Sequence, residues 1–167
     1  EVAPELVQSV VMRADNAIVQ AARRWVERIR SRYLTDIFTP LRRAVGSLQQ
    51  HAASGVAPAG LIPIVFLVTD GAVGNEREIC RWMREHAAGV RCFTFGIGTF
   101  CNRYFLKMLA QITRGYSDFT YYGGQVSKKM TALMSRTHMP VLSDVSLGIS
   151  GVTSASLFPY PVPDLYV

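Results

Sequence analysis

Short apolar runs alternate along this chain with segments in which apolar residues recur every three or four positions. The runs occupy residues 61–69, 90–98 and 118–122, and short runs rich in β-branched and aromatic residues are typical of strands. The first run is apolar up to Thr69, which indicates a strand buried on both faces of a parallel sheet. The intervening segments place their apolar residues on one helix face. Strand and helix therefore alternate, which predicts a parallel α/β fold with right-handed crossovers.

Two helices are predicted before the first strand. Asp15 or Asn16 can cap a helix that runs to about Arg30, and one face of it carries four apolar residues: Ile18, Ala22, Trp25 and Ile29. Thr39 followed by Pro40 pairs an N-cap residue with a proline at the first helical position. The buried stripe predicted for this second helix consists of Leu41, Ala44, Val45 and Leu48.

Three more helices are predicted after the first strand. Asn75 and Glu78 form a near capping box, which predicts a helix with four residues on its inner face: Ile79, Trp82, Met83 and His86. A packed structural role is favoured for His86 over a role as a ligand. Residues 105–112 and 126–137 show the same helical spacing.

The pattern changes after Pro140. Residues 141–149 alternate like a strand with one face in water, and the proline-rich segment 158–163 fits neither a central strand nor a helix. We therefore divide the chain into a parallel-sheet domain, residues 1–139, and a C-terminal tail, residues 140–167. The tail is expected to contain a strand and irregular structure and to pack outside the main sheet.

The composition predicts a globular domain with a sizeable core. The chain has 167 residues, 49% of them apolar, and a net charge of +6, which is enough for one domain. No apolar run approaches the roughly 20 residues needed to span a bilayer, so no membrane span is expected. Because the first residue is Glu1 and not Met, we expect the chain to be processed or cut from a longer one.

Much of the positive charge lies in one block of arginines near the beginning of the chain: Arg13, Arg23, Arg24, Arg28, Arg30, Arg32, Arg42 and Arg43. Such a block can contact RNA, an anionic membrane or an acidic protein. A solvated helix face is the favoured interpretation, because the aromatic residues that stack on RNA bases do not accompany the arginines. We expect no nucleic-acid partner.

Signatures of catalysis are mostly lacking. The sequence contains no P-loop, HExxH or GxSxG motif, and three cysteines without CxxC spacing predict neither zinc nor a full disulfide framework. Gly96-Ile-Gly98-Thr-Phe-Cys101 follows a strand and precedes a helix, as a dinucleotide fingerprint would, but Cys101 stands where that fingerprint has its third glycine. We favour a tight turn at Gly96 and Gly98; a Rossmann-like nucleotide-binding enzyme is the alternative.

The first strand ends in the polar residues Thr69 and Asp70. In open α/β sheets, ligands bind outside the carboxyl ends of the strands, so the carboxylate of Asp70 is placed to meet a cation or a donor of a partner. The alternative is that Asp70 only closes a turn or caps the following segment.

Three segments resemble the von Willebrand factor type A domain family: Thr35-Asp-Ile-Phe-Thr-Pro-Leu41, Phe66-Leu-Val-Thr-Asp-Gly-Ala72 and Phe93-Thr-Phe-Gly-Ile-Gly98. Residues 100–110 and 157–165 are similar to the inter-alpha-trypsin inhibitor heavy chain type. The resemblance covers about residues 6–167. It implies a Rossmann-like three-layer sandwich, incomplete at its amino end because the family's first strand is absent from this chain.

The resemblance also implies a metal site. In this family a metal-ion-dependent adhesion site binds a divalent cation, usually magnesium, through an Asp-x-Ser-x-Ser loop, a Thr and an Asp. Thr35 matches the Thr and Asp70 the Asp, but the loop belongs to the absent strand. Asp144-Val-Ser146-Leu-Gly148 is treated as a coincidental match, with a permuted site as the alternative. One carboxylate and one hydroxyl are too few to hold magnesium, so we expect no cofactor on this chain alone and magnesium only if the loop is supplied.

The absent strand would leave the main-chain groups of residues 61–69 without partners on one side, a template for aggregation. We expect this edge to be covered by an upstream segment or, through β-augmentation, by a protein partner. The sequence therefore predicts a non-enzymatic protein-interaction or scaffold module, part of a larger chain or assembly. The alternatives are the nucleotide-binding enzyme and a structural subunit that has lost its metal site.

Overall fold

A computed structural model describes residues 14–30, 35–57, 60–70, 72–137, 140–151 and 156–166. The chain forms two compact units, residues 1–59 and 60–167. The first unit contains two helices, and the second contains a parallel sheet, three helices and a small antiparallel pair of strands. Every helix in the described part of the chain is too short or too polar to span a bilayer.

Helix α1, Asn16–Arg28, begins where the sequence predicted. The carboxylate of Asp15 accepts a hydrogen bond from the N–H of Ile18 at 2.8 Å, which is the usual geometry of an N-cap. The helix ends two residues before the predicted Arg30. None of its residues is buried, and Ile18 and Trp25 are half-buried.

Helix α2, Phe38–Ala53, begins two residues before Pro40, so the prediction of Thr39 as its N-cap is wrong. The carboxylate of Asp36 instead accepts the N–H of Thr39 at 3.1 Å, which gives one free donor of the first turn a partner. Hydrogen bonds from the side chain and the N–H of Thr39 lower the pKa of Asp36. On the predicted stripe, Leu41 and Val45 are buried.

The second unit is built on three parallel strands in the order β1-β2-β3, which confirms the predicted α/β class. The strands are β1, Ile64–Thr69, β2, Arg91–Ile97, and β3, Ser117–Thr120. Strand β1 pairs with β2 from Ile64 opposite Arg91 to Thr69 opposite Gly96. The central strand β2 is buried in its first six residues, whereas β1 is half-buried along most of its length.

Each parallel strand is followed by a helix: α3, Glu76–His86, α4, Arg103–Ile112, and α5, Val126–Ser135, the last after a short 3-10 turn at Gly123–Gln125. The buried residues on their inner faces include Ile79, Met83, Phe105, Leu106, Leu109 and Leu133. Of the other two residues predicted on the inner face of α3, Trp82 is half-buried and His86 is exposed, so the prediction of an inner position for His86 is wrong. The capping box predicted at Asn75 is not formed as expected. The side chain of Asn75 donates to Glu78 at 3.3 Å and makes no cap hydrogen bond to the backbone.

The tail contributes two short strands, β4, Pro140–Leu142, and β5, Leu165–Tyr166, which pair antiparallel. The strand predicted over residues 141–149 is therefore wrong beyond Leu142. At Asp144 the backbone has a φ of 54°, in the left-handed region, which breaks an extended strand. From β5, the ring of Tyr166 contacts Phe93 edge-on, with 5.3 Å between ring centres.

A buried ion pair between Arg91 and Asp164 links the tail to the beginning of β2. The Arg91 side chain is 4% exposed, and its Nε donates to Oδ2 of the fully buried Asp164 at 2.5 Å. Nη2 of Arg91 donates to Asp144 at 2.9 Å, and Arg114 donates to the same Asp144 oxygen. The other oxygen of Asp164 accepts the N–H of Asp144 at 3.1 Å. Burial lowers the pKa of Arg91, but the hydrogen bonds that Arg91 donates to Asp164 and Asp144, together with the charges of these carboxylates, outweigh burial and leave the pKa raised.

Replacement of Asp164 by Ala should destabilise the second unit, because it leaves the buried Arg91 guanidinium without its main partner. We expect a loss of about 3–5 kcal/mol in the free energy of unfolding, the usual cost of breaking a buried ion pair. Urea denaturation followed by circular dichroism measures it. Lys129→Ala, which breaks the half-exposed pair with Asp118, is the matched control and should cost at most about 1 kcal/mol. Equal losses in the two variants would contradict a structural role for Asp164.

Candidate functional site

Asp70 lies directly after β1, at the carboxyl edge of the sheet, and is exposed. One oxygen of its carboxylate accepts the N–H of Ala72 at 3.1 Å, so the side chain closes a local turn. Its main-chain carbonyl accepts the N–H of Asn102 at 3.1 Å. The residue is thus held in place through its backbone, while its carboxylate faces solvent.

Thr35, the second predicted metal ligand, is exposed and lies just before α2 in the first unit. Asp70 lies in the second unit, so their convergence on one cation stays a prediction. Across the described ranges, no three His, Cys, Asp or Glu side chains lie together in a group that could hold a metal. The described residues therefore do not by themselves fit magnesium, which requires several oxygen ligands.

Asn102 forms hydrogen bonds to three segments at the carboxyl edge, a role that was not predicted from the sequence. Its N–H donates to the carbonyl of Asp70, its side-chain amide donates to Glu76 at 3.0 Å, and its side-chain oxygen accepts the N–H of Phe105 at 3.1 Å. One residue thus links the ends of β1, α3 and α4. An Asn before an amphipathic helix is a recognisable N-cap, but its two long-range partners have no local sequence signal.

The glycines of the turn after β2 are required by packing and by backbone conformation. A Cβ atom at Gly96 would lie 2.5 Å from Sγ of Cys101 and 2.6 Å from a ring carbon of Phe119. Gly98 has a φ of 101°, a conformation that other residues rarely adopt. These constraints account for both glycines without a phosphate ligand, so the alternative of a dinucleotide site is not favoured.

The three cysteines are free. Burial raises the pKa of Cys92 to about 12, and burial is also the main cause of the raised pKa values of Cys80 and Cys101. A raised pKa keeps a thiol protonated at neutral pH, and the thiolate is the form that attacks substrates and binds metals.

His86 stacks on the ring of Trp82 at 4.8 Å, and its Nδ1 lies 2.9 Å from the Trp82 carbonyl oxygen, a contact within its own helix.

The partial match at Asp144, Ser146 and Gly148 lies away from this edge. The carboxylate of Asp144 is held by Arg91, the first residue of β2, and by Arg114. Asp144 is therefore at the amino end of the sheet, whereas Asp70 follows the carboxyl end of β1. The geometry gives no support to a permuted site that joins the two.

Arg103, the first residue of α4, contacts aromatic rings of β3 and of the connection that follows β3. The guanidinium carbon of Arg103 is 4.1 Å from the ring centre of Tyr121 and 5.8 Å from that of Phe119. Three strongly exposed aromatic residues flank these two positions in the chain: Phe100, 93% exposed, Tyr104, 76%, and Tyr122, 71%. We call Arg103, Tyr121 and these three residues the Arg103 cluster. No local sequence pattern predicts this cluster, because its members come from two separate segments, residues 100–104 and 121–122.

The chain is similar in sequence to several curated von Willebrand factor A domain-containing proteins. The chain is 37% identical over 107 residues to von Willebrand factor A domain-containing protein 5B1 of Mus musculus, an alignment that covers 58% of this chain and 9% of that protein. It is 31% identical over 113 residues to human von Willebrand factor A domain-containing protein 5A, with coverage of 68% and 13%. Its curated relatives are von Willebrand factor A domain-containing proteins. The resemblance predicted from the sequence is thereby confirmed.

The match to these von Willebrand factor A domain-containing proteins is limited in extent. The chain spans 9% of the length of the mouse 5B1 protein and 13% of the human 5A protein. No family model matches the chain. The inter-alpha-trypsin inhibitor subtype and the absence of the family's N-terminal part both stay predictions.

Two solved structures are similar in backbone arrangement. The conserved hypothetical protein BatB from Bacteroides thetaiotaomicron aligns with a TM-score of 0.45 and 15% identity, covering 70% of this chain and 67% of that one. Manganese-loaded Plasmodium vivax TRAP protein aligns with a TM-score of 0.48 and 18% identity, covering 74% and 50%.

Proposed function

We propose that this chain is a non-enzymatic protein-interaction module whose sheet is completed by one further strand at the outer edge of β1. The observation that supports the proposal is the pairing of β1, which bonds to β2 alone in the sheet of described residues. The N–H of Arg91 donates to the carbonyl of Pro63 at 2.9 Å, and main-chain groups alternate in direction along a strand. Those of Ile64, Phe66 and Val68 therefore point away from β2.

The side chains of β1 also favour an additional strand. Exposed edge strands in stable proteins usually carry charged residues or proline that prevent pairing with other chains, but residues 64–69 include neither. The side chain of Val68 is 49% exposed, whereas Phe95, its neighbour in β2, is fully buried. A strand bonded along β1 would cover apolar surface and satisfy the outward main-chain groups together.

The added strand comes from another segment of a longer polypeptide or from a separate protein by β-augmentation. Both sources agree with the relatives, which are much longer proteins. An interaction role without catalysis is supported by the three protonated thiols and by the packing role of Gly96 and Gly98. A nucleotide-binding enzyme would need a phosphate-binding turn, and the glycines have another explanation.

We propose magnesium binding only in a protein whose added strand supplies further oxygen ligands. Asp70 is exposed beside that edge, and a loop of the Asp-x-Ser-x-Ser type on the added strand would supply the oxygen ligands that the described residues lack. Thr35 remains the second proposed ligand of this chain. Without the loop, the module works through protein contacts alone.

Magnesium titrated calorimetrically into this 167-residue chain should give no saturable binding, because one carboxylate and one hydroxyl cannot replace enough water. In a protein that supplies the loop, Asp70→Ala should abolish magnesium-dependent partner binding. The free energy of unfolding should change by less than about 0.5 kcal/mol, since the side chain is exposed. Where the loop is lacking, partner binding should survive a chelator. A tight magnesium site on this chain alone would contradict the proposal.

Proline at Val68 tests the open edge, because its ring removes an N–H that points away from β2 and leaves the existing ladder intact. We expect the isolated chain to self-associate through β1, and Val68→Pro to weaken the association constant at least about tenfold, a change of about 1.4 kcal/mol. Sedimentation velocity over a concentration series measures it.

Val68→Ala is the matched control for this experiment. It removes the same side chain but keeps the N–H, so self-association should persist. Equal weakening in both variants would assign the effect to the side chain and contradict main-chain pairing at the β1 edge. A wild-type chain that stays monomeric at every concentration would contradict an open edge altogether.

A further inference from the structure

The guanidinium of Arg103 is held in place by rings and has its hydrogen-bonding capacity unused. Its central carbon lies over the ring of Tyr121, 4.1 Å from the ring centre, a cation–π contact that gives the N–H groups no oxygen acceptor. Arg103 is exposed. Within the part of the chain that the structure describes, those N–H groups donate to no oxygen and form no ion pair, in contrast to Arg91 and Arg114.

The acidic residues of this edge do not neutralise Arg103. The carboxylate of Asp70 accepts from Ala72, and that of Glu76 accepts from the amide of Asn102. Neither forms an ion pair with Arg103. The chain as a whole carries a net charge of +6. A negative group that pairs with Arg103 would therefore have to come from outside the described residues.

The aromatic residues of the cluster indicate what kind of molecule carries that charge. Tyr, Phe and Arg are enriched at the energetic centres of protein interfaces. Phe100, Tyr104 and Tyr122 are each more than two thirds exposed, so they offer apolar contact area to a polypeptide. A carboxylate is planar and accepts two parallel hydrogen bonds from one guanidinium, so a single arginine suffices for it.

We propose that the Arg103 cluster binds an Asp or Glu side chain of an acidic protein segment, with the guanidinium on the carboxylate and the exposed rings on the flanking apolar residues. This inference rests on the proposed interaction function and specifies the chemistry of the partner. It requires no metal ion, because the positive charge that meets the carboxylate belongs to the chain itself.

The test uses two peptides, Gly-Phe-Glu-Phe-Gly and the same peptide with Gln in place of Glu, both acetylated and amidated. Binding to the 167-residue chain is followed by NMR, including the Nε–H resonance of Arg103. We expect the Glu peptide to bind at least tenfold more tightly than the Gln peptide, with the same affinity in the presence of a chelator. Arg103→Ala should remove the preference, and Arg103→Lys should reduce it, because ammonium lacks the planar fork.

Arg136→Ala is the matched control. Arg136 also stacks on a tyrosine, with 4.8 Å to the ring centre of Tyr116, but Tyr116 precedes β3 and so lies at the opposite end of that strand. The variant removes the same charge and should keep the preference for Glu. Tyr121→Leu, which removes the stacking partner of Arg103, should weaken the preference, and thermal unfolding verifies that each variant is folded.

Three results would overturn the proposal: equal binding of the two peptides or none at all, equal losses in Arg103→Ala and Arg136→Ala, and a stronger response of the Arg103 resonance to inorganic phosphate than to acetate. The last would identify a phosphate ligand. None of these results bears on the β1 edge, whose self-association is measured with Val68→Pro, so failure of the two proposals can be told apart.

Discussion

Arg91 is the first residue of the central strand β2, and its charged side chain is almost fully buried. Asp164, 73 residues later in the chain, forms the ion pair that neutralises this charge. A buried guanidinium without a partner costs several kcal/mol, so the tail has to lie against the amino end of β2. The Tyr166 phenol is drawn into the same region, where burial and then the charge of Asp164 raise its pKa to about 12. The tail thus contacts the amino end of β2, whereas the carboxyl edge of the sheet carries the exposed residues Asp70 and Arg103.

The carboxyl edge and the β1 edge share a feature, because each presents groups whose natural partners are not among the described residues. Along β1 these are main-chain donors and acceptors; at Arg103 they are the N–H groups of a guanidinium. Asn102 connects the two regions, since its backbone bonds to Asp70 after β1 and its side chain caps α4, which begins with Arg103. A strand added at β1 and a carboxylate bound at Arg103 would therefore lie on regions that the hydrogen bonds of Asn102 connect.

Local chemistry made much of the fold predictable from the sequence. The apolar runs predicted the approximate positions of β1 and β2 and their parallel direction, and Asp15 predicted the start of the first helix. The start of α2 was predicted two residues too late. The sequence places an N-cap at Thr39, but the carboxylate of Asp36 accepts the N–H of Thr39 and the helix begins at Phe38. The strand beyond Leu142 was mispredicted because Asp144 has a left-handed backbone and pairs with Arg91 and Arg114, contacts distant in sequence that leave no local signal. The Arg103 cluster was not predicted for the same reason, since stacking between residues of two distant segments leaves no periodic pattern.

Hydrogen exchange at residue resolution over β1 tests the central claim, that the outer edge of this strand receives another strand. In the isolated chain, at concentrations low enough to keep it monomeric, the amides of Ile64, Phe66 and Val68 should exchange quickly, while the alternate amides that face β2 should be protected. In the native assembly that contains the chain, both sets should be protected. Rapid exchange of the three outer amides in that assembly would contradict the account.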